Sequence, residues 1–102
     1  MTPMMALVNG LPQVLEVLER SGMRNARIFA MADVGELRAG GDLHLLVDAP
    51  GLSLLDLGDA ELELQQLLHC RVELVTLYLL APEARRKAEA SAVPLMQLLQ
   101  PP

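Results

Sequence analysis

The sequence has few of the residues that several common classes of protein require. Its single cysteine, Cys70, excludes an intrachain disulfide and a multi-cysteine metal site. Tryptophan is absent and aromatic residues make up 2 % of the chain, which argues against a module that binds nucleic acid by base stacking. No apolar run reaches the roughly 18 residues of a membrane-spanning helix, and no secretory signal sequence is recognisable. We therefore expect a reducing compartment, by default the cytoplasm.

Basic residues are also scarce. The chain has 8 Lys and Arg residues against 13 Asp and Glu residues, which gives a formal net charge of -5. A chain of this charge is repelled by phosphate backbones and by anionic lipids. We therefore expect neither nucleic acid nor a membrane surface as a partner, although a single nucleotide in a small site is not excluded.

Aliphatic residues are abundant instead. Hydrophobic residues make up 52 % of the 102 residues, which suffices for one domain and leaves apolar surface for a protein partner or for a second copy of the chain. We predict a flexible N-terminal arm over residues 1–10, a single domain over residues 11–96 and a C-terminal tail over residues 97–102.

The spacing of the apolar residues and the turn signals predict six elements within the domain. In chain order these are a helix over 11–21, strands over 26–30 and 42–47, a helix from Ser53 to His69, a strand over 71–77 and a helix over 82–91. A connector over 31–37 and a turn over 38–41 separate the first two strands. The order predicts an α+β layered domain with a small mixed β-sheet and packed helices.

Four short strings carry a more specific pattern. Residues 35–38 read GELR, residues 42–48 read DLHLLVD, residues 53–57 read SLLDL, and residues 71–76 read RVELVT. In this order and spacing they resemble the minimal nucleotidyltransferases of the polymerase-beta-like superfamily. The resemblance covers the chain from Phe29 to Leu80 and implies a nucleotidyltransferase-like fold.

The family's pattern follows from its chemistry. A strand ends in Gly-Ser, whose N–H and hydroxyl groups face a triphosphate, and the next strand begins with Ser-Asp-x-Asp. Two acids two positions apart point to the same face of a strand. Together with a third acid on a later strand they hold the Mg²⁺ ions that neutralise the phosphates and activate the attacking hydroxyl.

This sequence departs from the pattern at the reactive positions. Ala30 and Met31 occupy the Gly-Ser phosphate-loop positions, and His44 occupies the position of the second acid. The resemblance implies Asp42, His44 and Glu73 as the residual catalytic set, with Asp42 and Glu73 as the metal ligands. Histidine suits Mg²⁺ poorly, so we expect a degenerate site with no cofactor; Mg²⁺ and ATP are expected only if activity remains.

Each candidate also has a structural interpretation. Asp42 is typical of an exposed acid at a strand start, and His44 of a half-buried polar residue between leucines. Strand alternation alone would place Glu73 on the solvent side. Cys70 is typical of a buried structural thiol, and the basic residues 85–87 of a solvated helix face.

Three functions remain open at this stage. The first is a noncatalytic interaction or regulatory module, because family members resemble one half of toxin–antitoxin pairs whose other half is a small helical HEPN-type protein. The second is an active metal-dependent enzyme that transfers a nucleotide to a protein hydroxyl. The third is a structural homo-oligomer.

Overall fold

The computed structural model describes residues 2–29 and 42–99, and these form a four-stranded mixed sheet with helices packed on it. The predicted α+β class is therefore confirmed. The helices are α1 (Pro3–Asn9), α2 (Leu11–Arg20), α3 (Leu54–Leu68) and α4 (Pro82–Ser91). The strands are β1 (Arg24–Phe29), β2 (Leu43–Asp48), β3 (Val72–Val75) and β4 (Val93–Pro94), in the spatial order β3-β2-β1-β4. Within the described residues, 3₁₀ turns lie at Leu77–Leu79 and Leu95–Leu99.

The predicted N-terminal arm is a helix for most of its length. The Thr2 hydroxyl accepts a hydrogen bond of 3.1 Å from the Met5 backbone amide, and Pro3 stands in the first turn, where its missing N–H is not needed. Leu7 is completely buried in the core. The prediction of an arm was wrong because so short a helix owes its stability to packing rather than to its own sequence.

Helix α3 forms the crossover between the parallel strands β2 and β3. It starts at a capping box, in which the Ser53 side chain accepts from the Asp56 amide and Asp56 accepts from the Ser53 amide. His69 ends it in the left-handed conformation with φ of 56°. The crossover fixes which ends of β2 and β3 lie together.

Among the described residues, each face of the sheet carries a hydrophobic cluster. Along β2 the side chains of Leu43, Leu45 and Val47 enter the larger cluster, which α1, α2 and α3 cover. Alternation turns the residues between them to the opposite face. The smaller cluster on that face contains Phe29, Leu46, Val75, Leu80, Ala84 and Ala88, and α4 closes it.

Strand β3 forms one edge of the sheet, and α3 covers that edge. The Glu61 carboxylate accepts a hydrogen bond of 2.7 Å from the Leu74 amide, and the Gln65 side-chain oxygen accepts one of 3.3 Å from the Val72 amide. Since alternate amides of an edge strand point away from the sheet, these two side chains stand where a further strand would pair.

The first residues of the predicted C-terminal tail belong to the fold, since residues 97–99 complete the 3₁₀ turn Leu95–Leu99 and Leu98 packs against the larger cluster. Val93 and Pro94 pair with Ile28 and Arg27 of β1, and Leu95 is completely buried. Proline is tolerated here because β4 is an edge strand. The strand predicted over 71–77 is shorter, since a 3₁₀ turn begins at Leu77. The predicted connector and turn over 31–41 lie outside the described residues. Within the described ranges, no helix has the length and apolarity needed to cross a membrane.

Candidate functional site

The candidate site lies where β2 and β3 begin, on the face of the sheet that carries the smaller cluster. His44 on β2 is directly opposite Glu73 on β3 in the parallel register. The Nε2 atom of His44 is 3.7 Å from the Oε2 atom of Glu73. The structure therefore brings together two of the three residues predicted for the site.

Both members of this pair are buried. His44 is 5 % exposed and Glu73 is 8 % exposed, so the half-buried histidine and the solvent-facing acid that the sequence allowed are both corrected. His44 is buried because β2 lies between β1 and β3, and the parallel register places Glu73 directly beside it. The Phe29 ring lies beside the imidazole, with 6.0 Å between the ring centroids.

The Nε2 atom of His44 has no hydrogen-bond partner among the residues that the structure describes. A buried nitrogen without a partner loses its hydration without compensation. The His44–Glu73 pair is thus a buried polar contact.

Asp42, the third predicted residue, is exposed and has a structural partner. Its Oδ2 atom accepts a hydrogen bond of 3.0 Å from the Arg71 amide, and its own amide donates to the Arg71 carbonyl over 3.1 Å. These two bonds join the residues that precede β2 and β3. The Asp42 carboxylate therefore stabilises the start of the parallel strands β2 and β3 through its Oδ2 atom.

The donor set does not fit the two-metal site of phosphoryl transfer. Such a site needs several carboxylate oxygens on hard Mg²⁺ ions, and an imidazole replaces one of them here. Across residues 2–29 and 42–99, no group of three or more His, Cys, Asp or Glu side chains is close enough to hold a metal ion. The predicted phosphate-loop positions Ala30 and Met31 lie outside the described residues.

Cys70 lies near Asp42, just before β3. Burial raises the pKa of its thiol above the ordinary value, and the negative charge of Asp42 raises it further. Both effects disfavour the thiolate, which is the reactive form. The half-buried thiol is therefore poorly suited to act as a nucleophile, in keeping with the structural interpretation of the sequence.

Comparison with solved structures reveals a relative of the same fold. A structure described as a candidate minimal nucleotidyltransferase is 35 % identical in sequence and superposes with a TM-score of 0.72, over 92 % of this chain and 96 % of its own. This chain belongs to the minimal nucleotidyltransferase family. No family model and no curated protein matches it.

In a minimal nucleotidyltransferase, the starts of β2 and β3 are where the family pattern places the acids. A different feature of this member lies at the opposite ends of the two strands, where a cavity of about 490 Å³ opens. Its lining comprises Val47, Asp48, Ala49, Pro50, Thr76, Leu77, Tyr78 and Arg85. The walls of this cavity come from three separate segments of the chain, so no local pattern predicts it; its only sequence signal is the basic string over 85–87.

Proposed function

We propose that this minimal nucleotidyltransferase has kept the fold and lost the transfer chemistry, and that it acts by contact with a protein partner. The observation that carries the proposal is the buried His44–Glu73 pair. It replaces two metal-binding carboxylates by an imidazole and one carboxylate 3.7 Å apart. The Glu73 carboxylate then faces an imidazole instead of a second carboxylate.

The position of Asp42 supports the same proposal. In phosphoryl transfer the carboxylates must be available to metal ions that bridge the substrate oxygens. Asp42 instead accepts a hydrogen bond from the Arg71 amide, which links the residues just before β2 and β3. Removing several electrostatic groups from a polar active site costs orders of magnitude in rate.

The proposed partner is a helical protein of the HEPN type, as the resemblance to the family implies, and the pair would form a toxin–antitoxin-like module. Exposed leucine and methionine side chains on α1 and α3 provide apolar contact surface. We place the module in the cytoplasm, where a single free cysteine stays reduced.

The test is calorimetry with ATP and GTP in the presence of Mg²⁺ or Mn²⁺. The proposal expects no binding in the micromolar range. A matched titration uses the His44→Asp variant, in which the family's carboxylate is restored. Micromolar binding of either nucleotide by the unaltered chain would overturn the proposal.

The second candidate is an enzyme that transfers a nucleotide to a protein hydroxyl. Two acids, Asp42 and Glu73, still stand at the starts of β2 and β3, which favours this alternative. It predicts that radiolabelled ATP labels a partner protein and that Asp42→Ala abolishes the labelling. Absence of labelling with every nucleotide and a HEPN-type partner would eliminate it.

A further inference from the structure

The cavity at the carboxyl ends of β2 and β3 is a second candidate site, at the opposite ends of the strands from His44 and Glu73. In sheets with parallel strands, ligands commonly bind outside the carboxyl ends. The volume of about 490 Å³ falls within the usual range for binding pockets. Because α3 runs antiparallel to β2 and β3, its exposed Leu54 and Leu55 lie at this same end.

The acid in the cavity wall is already neutralised. The Asp48 carboxylate accepts 3.2 Å hydrogen bonds from the side chains of Arg27 and Asn25. Both reach it because β1 has a bulge between Arg24 and Arg27, with Asn25 in the left-handed region. Asp48 therefore adds little net negative charge to the cavity.

The cation in the cavity wall, Arg85, is held by two backbone carbonyls and pairs with no acid among the described residues. Arg85 donates from Nε to the Leu77 carbonyl over 3.0 Å and from Nη2 to the Leu80 carbonyl over 3.3 Å. Within the part of the chain that the structure describes, no carboxylate forms an ion pair with it. The remaining guanidinium N–H groups are available to an anion, and their planar arrangement matches a carboxylate.

The rest of the wall is largely apolar. Val47, Ala49, Pro50 and Leu77 contribute aliphatic surface, and Tyr78 stands at the rim with 91 % of its surface exposed. An almost fully exposed tyrosine beside an apolar cavity is typical of a protein-binding surface, since tyrosine provides contact area at low conformational entropy cost.

We propose that this cavity binds an acidic, apolar segment of the protein partner. A carboxylate of that segment would bind Arg85, and an apolar side chain would lie against Leu77 and Tyr78. Charge complementarity selects this occupant, because Arg85 lines the cavity without an ion pair to any described carboxylate, whereas the one acid of the described lining, Asp48, is already bound by Arg27. The inference rests on the proposed role as an interaction module, for which it names the surface.

The experiment is a titration of the full ¹⁵N-labelled chain, followed by amide chemical shifts, with three capped pentapeptides of sequence Ala-Leu-X-Leu-Ala. X is glutamate, glutamine or lysine. Short peptides bind weakly, so a Kd on the order of 0.1–1 mM is expected for the glutamate peptide, with shifts at Val47, Thr76 and Tyr78. The glutamine peptide should bind about tenfold more weakly, since it lacks the charge-assisted hydrogen bond.

Variants locate the binding. Arg85→Met should abolish the preference for glutamate, whereas Arg86→Met on the same helix should leave it in place. Tyr78→Ser should weaken the binding of all three peptides without disturbing the fold, because Tyr78 is almost fully exposed. This variant still tests the proposal if Arg85→Met does not fold.

Equal binding of the three peptides, absence of shifts, or shifts confined to other surfaces would overturn the proposal. So would shifts of the cavity residues by ATP that match those of the glutamate peptide. If the peptides do not bind, the proposed noncatalytic role is unaffected. Nucleotide binding at the start of β2 would overturn that role without excluding peptide binding in the cavity.

Discussion

The imidazole of His44 faces the carboxylate of Glu73 across the parallel strands β2 and β3, with 3.7 Å between Nε2 and Oε2. The contact joins two strands that the α3 crossover brings into register. Both side chains are buried, so the contact lies away from bulk water.

Replacing His44 by aspartate is expected to make the chain sensitive to metal ions. The new carboxylate would face Glu73, and two like charges in a buried site lower the Tm. Mn²⁺ should bind both carboxylates and raise the Tm of the His44→Asp variant by several degrees, measured by calorimetric melting. His69→Asp, at an exposed helix end, serves as the control and should not respond. A His44→Asp variant whose Tm is insensitive to Mn²⁺ contradicts the expectation.

Glu61 is expected to protect the edge of the sheet. Glu61→Leu removes the acceptor of the Leu74 amide, so the free energy of unfolding should fall by about 1–3 kcal/mol and the chain should associate at high concentration. Glu61→Gln keeps an acceptor oxygen and should restore most of the stability. Urea denaturation and sedimentation measure the two effects.

A neighbouring acid provides the control for that measurement. Glu63 on the same helix forms an exposed ion pair with Arg20, and Glu63→Leu should leave the stability nearly unchanged. If Glu61→Leu and Glu63→Leu lower the free energy of unfolding equally, the cause is the loss of an acid from α3 and not the loss of the side chain that covers the sheet edge.

The thiol of Cys70 is expected to react slowly with iodoacetamide at neutral pH. Its pKa is raised by burial and by the charge of Asp42, so the thiolate fraction at a given pH is small. Asp42→Asn should lower the pKa and shift the profile of rate against pH to lower pH, while Asp48→Asn at the far end of β2 should not. An unchanged profile in Asp42→Asn would argue against the charge contribution.

The raised pKa of the Cys70 thiol also predicts how the stability of the fold changes with pH. Because the thiol pKa is higher in the folded chain than in the unfolded chain, the folded state binds the proton more tightly. Stability from this group is complete below the unfolded pKa and is lost as the pH rises through the folded pKa. Cys70→Ser should remove this dependence, as measured by denaturation over alkaline pH.

Alanine substitutions at Leu64 and Leu62 test which face of α3 is buried. Leu64 is completely buried, and Leu64→Ala should lower the free energy of unfolding by about 2–5 kcal/mol because it opens a cavity in the larger cluster. Leu62 is exposed on the opposite face, and Leu62→Ala should have little effect. A comparable loss at Leu62 would indicate that a second molecule covers that face.

The sequence by itself determined the elements that local signals define. The capping box at Ser53 and the proline at position 82 set the starts of α3 and α4 within a residue of their predicted positions, because caps act within one helical turn. Apolar residues in β2 indicated a strand, the order of the elements predicted the α+β class, and the family resemblance implied the nucleotidyltransferase-like fold.

Only the tertiary structure decided the elements and contacts that depend on distant partners. Helix α1 and strand β4 are too short to be stable alone, and they form because Leu7 and Leu95 enter the core. The burial of Glu73 and its contact with His44 follow from strand register, which no local pattern contains. The cavity beside Arg85 exists because the ends of β2, β3 and α4 meet there, and their meeting is a property of the packed chain.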